Sequence, residues 1–382
     1  MFSKKYRQRF TASFSAAFLA ISGLGVGLLD RPAQAQTNAY CHLSADAVNQ
    51  KETLRRAAFQ GDAQAKKRYQ NLVVQHRNQV RQCRDRTWPQ QQAIWLRLYP
   101  CDSQSGILEA VLDQIVNRGY NQVYVEAFYD GQVLLPAAQN STAWPSVIRS
   151  SRHQNRDLLA EAIAKGRERG LEVYAWMFTL NFGYSYGQRA DRQDVLARNG
   201  SGQNSLALTA STNLGSSLTG ISTDNAAFID PYHPQARQDY SQLVQAIAQR
   251  NPDGILFDYV RYPRGLGAAS VASRVQDLWI YGDAAQRALH QRGLNQQGTE
   301  LIRRFVSRGH VTASDLEAVK QLYPNEAAPR WHGLDASVET RTQAQFALWR
   351  LSVAHAVQGV LDFVAAASKT CKPCLPMLAI AL

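Results

Sequence analysis

What the chain lacks narrows its chemistry. Its eight histidines are scattered, with no His-x-x-x-His pair and no matching carboxylate, so a zinc-hydrolase motif is absent. No Gly-x-Ser-x-Gly joins a strand to a helix, which excludes the usual serine-nucleophile elbow. The turn after the first predicted strand, Tyr99-Pro100-Cys101-Asp102-Ser103, has no run of glycines, and no phosphate loop appears elsewhere. A nucleotide-binding sheet is thereby disfavoured, and no cofactor or metal is expected. Basic residues are dispersed without interleaved aromatics, so a nucleic-acid reader is not expected either. Beyond the N-terminus no apolar run reads as a bilayer span, and stable membrane insertion is not expected.

The N-terminus reads as an export signal. Lys4, Lys5, Arg7 and Arg9 precede an apolar stretch from Phe14 to Leu29, and Ala33-Gln34-Ala35 offers a small-residue cleavage site. Cleavage after Ala35 predicts a secreted or periplasmic protein. Of the net charge of +12, residues 1–35 carry +4, which leaves +8 on the mature chain. Outside the cytoplasm such a charge fits anionic envelope polymers, and it equally serves solubility alone. Of five cysteines, Cys41 and Cys83 bracket a helical-looking segment and are placed to staple a hairpin. Cys371 and Cys374 have redox-motif spacing without a thioredoxin-type setting, so a structural bridge is expected there, with Cys101 as one partner considered.

Residues 36–92 read as a helical hairpin broken at Gly61-Asp62. From Ile94 the pattern changes to strands (Ile94–Tyr99, Gln122–Phe128, Glu172–Phe178, Gly254–Tyr259) alternating with helices (Gly106–Arg118, Arg156–Arg169, Pro234–Arg250). A long loop is expected from about Asn181 to Asn225. Turns before the strands are short and connections after them are long, the asymmetry of a (β/α) TIM-type barrel whose C-terminal face carries a site. Residues 93–382 are accordingly assigned to an α/β barrel domain. A helical insertion at 265–340, containing Trp279, Tyr281 and Trp331, follows the fourth strand and is placed to overhang the mouth. Helix Gln343–Ala367 comes next, and Leu375–Leu382 reads as a fifth strand. Four or five units fall short of eight, so the barrel is expected to be incomplete at its C-terminus.

Strand alternation sends Leu256 and Asp258 inward, with Ile255, Phe257 and Tyr259 facing the helices. Asp258 then ends its strand where barrel enzymes place catalytic groups. It suits a nucleophile or a stabiliser of an oxocarbenium-like transition state, kept ionised by Arg261. It equally suits a structural residue that holds Arg261 or caps the following turn. Glu126 occupies the corresponding end of the second strand, placed either for catalysis or for a salt bridge to inward Arg97. Trp176 shares an inward face with Tyr174 and offers a ring for a sugar or for a core layer. Tyr129 and Asn181 lie just beyond their strands and, with Arg97 and Arg261, are further substrate-binding candidates.

Phe228-Ile229-Asp230-Pro231-Tyr232-His233-Pro234, the segment Asp253-Gly254-Ile255-Leu256-Phe257-Asp258-Tyr259-Val260-Arg261-Tyr262-Pro263, and Gly170-Leu171-Glu172-Val173-Tyr174-Ala175-Trp176 resemble the bacterial glycoside-hydrolase-like 10 family, related to the α-galactosidase superfamily. The resemblance spans roughly residues 93–264. It implies a TIM-like barrel acting on glycans, as a glycoside hydrolase of a polysaccharide or peptidoglycan glycan strand. The nucleophile of the related superfamily maps onto Asp258. Its acid/base ends a sixth strand that has no counterpart here.

Overall fold

The computed structural model describes residues 40–212, 226–264 and 270–371. The expected signal segment, Cys374 and the expected strand Leu375–Leu382 lie outside the described residues.

Two helices come first, α1 (Ala45–Phe59) and α2 (Ala63–Arg84). Ser44 caps α1 by accepting from Ala47 N, and Asp62 caps α2 by accepting from Gln64 N and Ala65 N. Gly61 makes the break between them at φ +106°. A Cys41–Cys83 disulfide closes the unit, as the bracketing cysteines predict. Cys371 is also disulfide-bonded, whereas Cys101 is a free, exposed thiol. The bridge considered between Cys101 and the Cys371/Cys374 pair is therefore not formed.

The sheet contains β1 (Ala93–Leu96), β2 (Gln122–Tyr129), β3 (Gln132–Val133), β4 (Glu172–Phe178) and β5 (Gly254–Asp258). Its parallel order is β1-β2-β4-β5, and short β3 pairs antiparallel with the end of β2. Between the strands run α3 (Ile107–Asn117), α4 (Leu158–Glu168), α5 (Gly183–Gly187), α6 (Ser205–Thr212) and α7 (Pro234–Ala248). The arrangement is compatible with a TIM-like fold, and the described residues include no strand that closes it. β1 stops earlier than expected, because the chain turns at Tyr99 into a helical turn opened by Pro100. β5 stops at Asp258 because Tyr259 takes φ +52°. The expected loop 181–225 contains α5 and α6 and is tied down by bridges Asn181–Phe228 and Leu196–Ile229.

Glycines set the close approaches beneath the sheet. Gly119 stops α3 at φ +89°, and a Cβ there would lie 1.9 Å from Cys41 O. The chain thus reaches β2 by passing directly under the hairpin. The main core gathers α3 (Leu108, Leu112), the outward strand residues Val123, Val125, Val173 and Ile255, and α7 (Tyr240, Leu243, Val244).

Residues beyond β5 form α8 (Asp283–His290), α9 (Gln296–Arg308), α10 (Ala313–Leu322) and α11 (Arg341–Lys369). The insertion has its own core, built on Ile280, Leu301, Phe305 and Trp331. Trp331 is therefore a packing residue, and Trp279 is likewise nearly out of solvent. The insertion is fixed to the segment after β4 through Tyr281 N–Arg198 O (3.0 Å) and Ala285 N–Asp230 Oδ2 (2.9 Å). Helix α11 joins the two cores, with Leu348 and Leu351 in the second and Val360 and Phe363 in the first. By length and composition alone α11 is apolar enough to cross a membrane, contrary to the sequence reading; half of that stretch is buried inside the protein.

Candidate functional site

The site lies at the C-terminal ends of the parallel strands. Register sets Glu126 of β2 beside Trp176 of β4, and Phe178 beside Asp258 of β5. A bulge between Glu126 and Phe128 breaks the β2 alternation just beyond the carboxylate. It keeps Glu126 beside Trp176, and Phe128 packs against Trp144 at 4.8 Å.

Asp258 is half-buried and held by two donors. Trp176 Nε1 donates to its Oδ2 at 2.8 Å, and Tyr259 N donates to its Oδ1 at 2.6 Å. Arg261 makes no hydrogen bond or ion pair with Asp258 among the described residues, although the two charges still interact. Tyr259 enters the left-handed region, and Arg261 N bonds back to Tyr259 O at 2.8 Å. The Arg261 guanidinium then lies 5.3 Å from the Tyr259 ring and donates to Tyr262 O. Burial and neighbouring Arg264 lower its pKa from the usual arginine value. For a bulky aromatic side chain φ +52° is an outlier, of the kind that clusters at functional sites.

Glu126 is almost fully buried and bound through both oxygens by Arg97, with Nη2–Oε1 at 3.0 Å. Of the two readings of Glu126, its salt bridge to Arg97 is the arrangement present. Burial pushes the Glu126 carboxyl up, while Arg97 opposes that shift. Arg97 in turn lies 4.5 Å over the Tyr129 ring, and burial pushes the Tyr129 hydroxyl up to about 12. Next along the chain, Asp130 takes φ +46° and burial raises its carboxyl. Its carboxylate makes no hydrogen bond or ion pair among the described residues. Asp258, Glu126 and Asp130 each push the Tyr259 hydroxyl up, after burial as the leading cause, so the three carboxylates share one electrostatic neighbourhood.

Asn181 is buried, and its Oδ1 accepts from Gly183 N (3.0 Å) and Ala227 N (3.1 Å). The structure uses it to clamp the loops behind the site rather than to face a substrate.

Sequence reasoning placed Tyr174 and Trp176 on one inward face but missed Trp95 and Tyr124, which extend it. Trp95 stacks on Tyr124 at 5.7 Å, and Tyr124 on Tyr174 at 4.9 Å. Trp95 also meets Trp176 edge-on at 6.3 Å and is 59% exposed. The signal was present: Trp95 and Tyr124 each precede an inward charged residue, Arg97 or Glu126, by two positions. Among the described residues, no group of three or more metal-ligating side chains comes together.

The family model described as glycosyl hydrolase-like 10 matches residues 92–287, about half of the chain and the whole of the sheet. This chain belongs to the glycosyl hydrolase-like 10 family. The match includes Arg97, Glu126, Trp176 and Asp258. No curated protein matches. Among solved structures, a hypothetical protein from Ruminiclostridium thermocellum ATCC 27405 is 12% identical, with 47% of this chain and 84% of that one covered, at a TM-score of 0.31. A GH20 exo β-N-acetylglucosaminidase from Vibrio harveyi is 11% identical as its inactive D437A mutant, with 60% of this chain and 34% of that one covered, also at 0.31. At that TM-score neither likeness bears on the chemistry of the glycosyl hydrolase-like 10 site.

Proposed function

We propose that this protein is an exported glycoside hydrolase acting on an extracytoplasmic polysaccharide or peptidoglycan glycan, with Asp258 as nucleophile or stabilising carboxylate. The observation that carries the reading is the setting of Asp258. It ends a parallel strand, keeps its carboxylate oriented by Trp176 and the Tyr259 amide, and stands beside a partly exposed aromatic face. Aromatic faces suit the C–H surfaces of sugar rings, and an oriented carboxylate suits a developing oxocarbenium charge.

Glycoside hydrolysis in this form needs a second carboxyl group that holds a proton. Asp130 fits that role better than Glu126. Burial raises its carboxyl, and its oxygens have no hydrogen-bond partner among the described residues, whereas both oxygens of Glu126 are held by Arg97. Glu126 then fixes Arg97 over Tyr129 and lends negative potential to the site.

The commitment of Glu126 to Arg97 also favours a second reading, a glycan-binding protein without turnover. Incubating the protein with peptidoglycan glycan strands and with neutral glucans, followed by mass spectrometry of the products, separates the two. Shortened glycans that disappear with Asp258→Asn support hydrolysis and name the substrate class. Intact glycans that stay bound to both proteins support the binding reading.

A further inference from the structure

At the opposite end of the sheet, under the N-terminal ends of β2 and β4, lies a cavity of about 390 Å³ between α2 and the sheet. β4 has seven residues, so this cavity is roughly 20 Å from Asp258. Arg77, Arg81 and Arg84 reach it from α2, where spacings of four and three residues place them on one helix face. Arg167, Arg169 and Glu172 line it from the other side. Gly170 makes room for this arrangement: the Arg77 stem lies where its Cβ would stand, 2.6 Å from Arg77 Cγ.

The charges do not balance. Arg167 is matched by Asp253 (2.9 Å). Arg169 and buried Lys51 share Asp113, and the exposed Glu168 lies 3.8 Å from Arg169. Glu172 spends its carboxylate on the neutral donors Gln122 Nε2 and Tyr174 OH. Among the described residues Arg77 reaches only a backbone carbonyl, Glu168 O, at 3.4 Å. The Arg81 side chain makes no hydrogen bond or ion pair among the described residues. Arg84 donates from Nη2 to Gly119 O at 2.9 Å, but its Nε is buried with no hydrogen-bond partner. Among the charges that line the cavity, the three α2 arginines less Glu172 leave about two positive charges, which Asp85 outside the lining offsets only in part. Burial lowers the Arg84 pKa, and adjacent Asp85 offsets only part of that cost, as expected for a guanidinium lacking its counterion. A buried donor without an acceptor is unfavourable and rare in folded proteins.

We propose that this cavity is a phosphate-binding site, in which Arg77, Arg81 and Arg84 hold a dianionic phosphate group. Guanidinium forks match phosphate oxygens in geometry, and a dianion balances the excess charge where a single carboxylate would not. The cavity is larger than a bare phosphate, so it has room for a sugar-sized group carrying one. The site is independent of the chemistry proposed at Asp258.

The test is calorimetric titration of the full chain at constant ionic strength with inorganic phosphate and, separately, glucose 6-phosphate. Saturable one-site binding is expected, weakened at least tenfold by Arg81→Gln and by Arg77→Gln. Neither side chain bears on the fold through a strong contact, and unchanged near-ultraviolet circular dichroism checks that. Arg350→Gln, on an exposed arginine of α11, removes the same net charge and should leave binding intact. Tighter binding of glucose 6-phosphate would identify a phosphate carried on an organic group, and equal binding the free anion. Absence of saturable binding, or equal loss in Arg350→Gln, overturns the proposal.

Discussion

Trp176 Nε1 reaches Asp258 Oδ2 at 2.8 Å diagonally across two adjacent parallel strands, since the direct neighbour of Trp176 in the register is Leu256. One indole therefore does two things. It fixes the carboxylate and presents a half-buried ring beside it. Separating these roles is informative. Trp176→Phe keeps an aromatic face and removes the donor. A hydrogen bond to a charged group contributes about 1.5–3 kcal/mol, so we predict a fall in kcat of roughly tenfold or more, with KM nearly unchanged. An unaltered kcat would show that the indole N–H is not used.

The turn under the hairpin tolerates only glycine. Gly119→Ala would place a Cβ 1.9 Å from the Cys41 carbonyl oxygen at φ +89°. Backbone must move, and we predict a loss of at least about 2 kcal/mol in urea unfolding. Gly202, at φ +76° with open space around it, is the comparison. Gly202→Ala bears only the conformational cost, about 1 kcal/mol.

The Cys41–Cys83 bridge spans 42 residues and ties the hairpin into a ring. Cys41→Ala/Cys83→Ala should cost about 2–4 kcal/mol of stability. Differential scanning calorimetry under non-reducing conditions reads it, and an unchanged Tm would mean that helix packing alone holds the unit.

A buried histidine sets an acid limit on the fold. His355 packs flat on Tyr232 with centroids 4.3 Å apart, and its Nε2 faces Ala285 O at 2.9 Å. Burial foremost, together with Arg292 and His290, lowers its pKa to about 4, while the Ala285 carbonyl opposes the shift. The unfolded chain takes up this proton near pH 6.5, before the folded protein does. The stability linked to His355 is therefore fully present above pH 6.5 and lost as pH falls toward 4. Urea midpoints across pH 7 to 4 should fall less steeply in His355→Gln than in the native chain. Parallel slopes would contradict the assignment.

Much of this was legible from residue spacing. Strand alternation placed Asp258, Glu126, Arg97 and Trp176 on one face, because period two survives in strands whose other face is fully apolar. Among the described residues a direct Arg261–Asp258 ion pair is absent because the chain turns at Tyr259, and nothing in Asp258-Tyr259-Val260-Arg261 signals positive φ at a tyrosine. Asn181 was misplaced for a different reason. A polar residue after a strand looks the same whether it faces solvent or caps backbone amides, and only the fold brings Ala227 to it. The arginine cavity drew no notice in the sequence, since its lining comes from three separate segments: α2, the turn around Tyr120, and the stretch from Arg167 to Glu172.

The central claim is that Asp258 is the carboxylate on which glycan cleavage depends. Its most direct test is kcat/KM for native protein and Asp258→Asn on the same glycan, with binding of the glycan measured in parallel. Asparagine keeps the shape and the Trp176 contact while removing the charge. The account predicts a loss of at least about a thousandfold in kcat/KM with glycan binding retained. Equal turnover by the two proteins would contradict it.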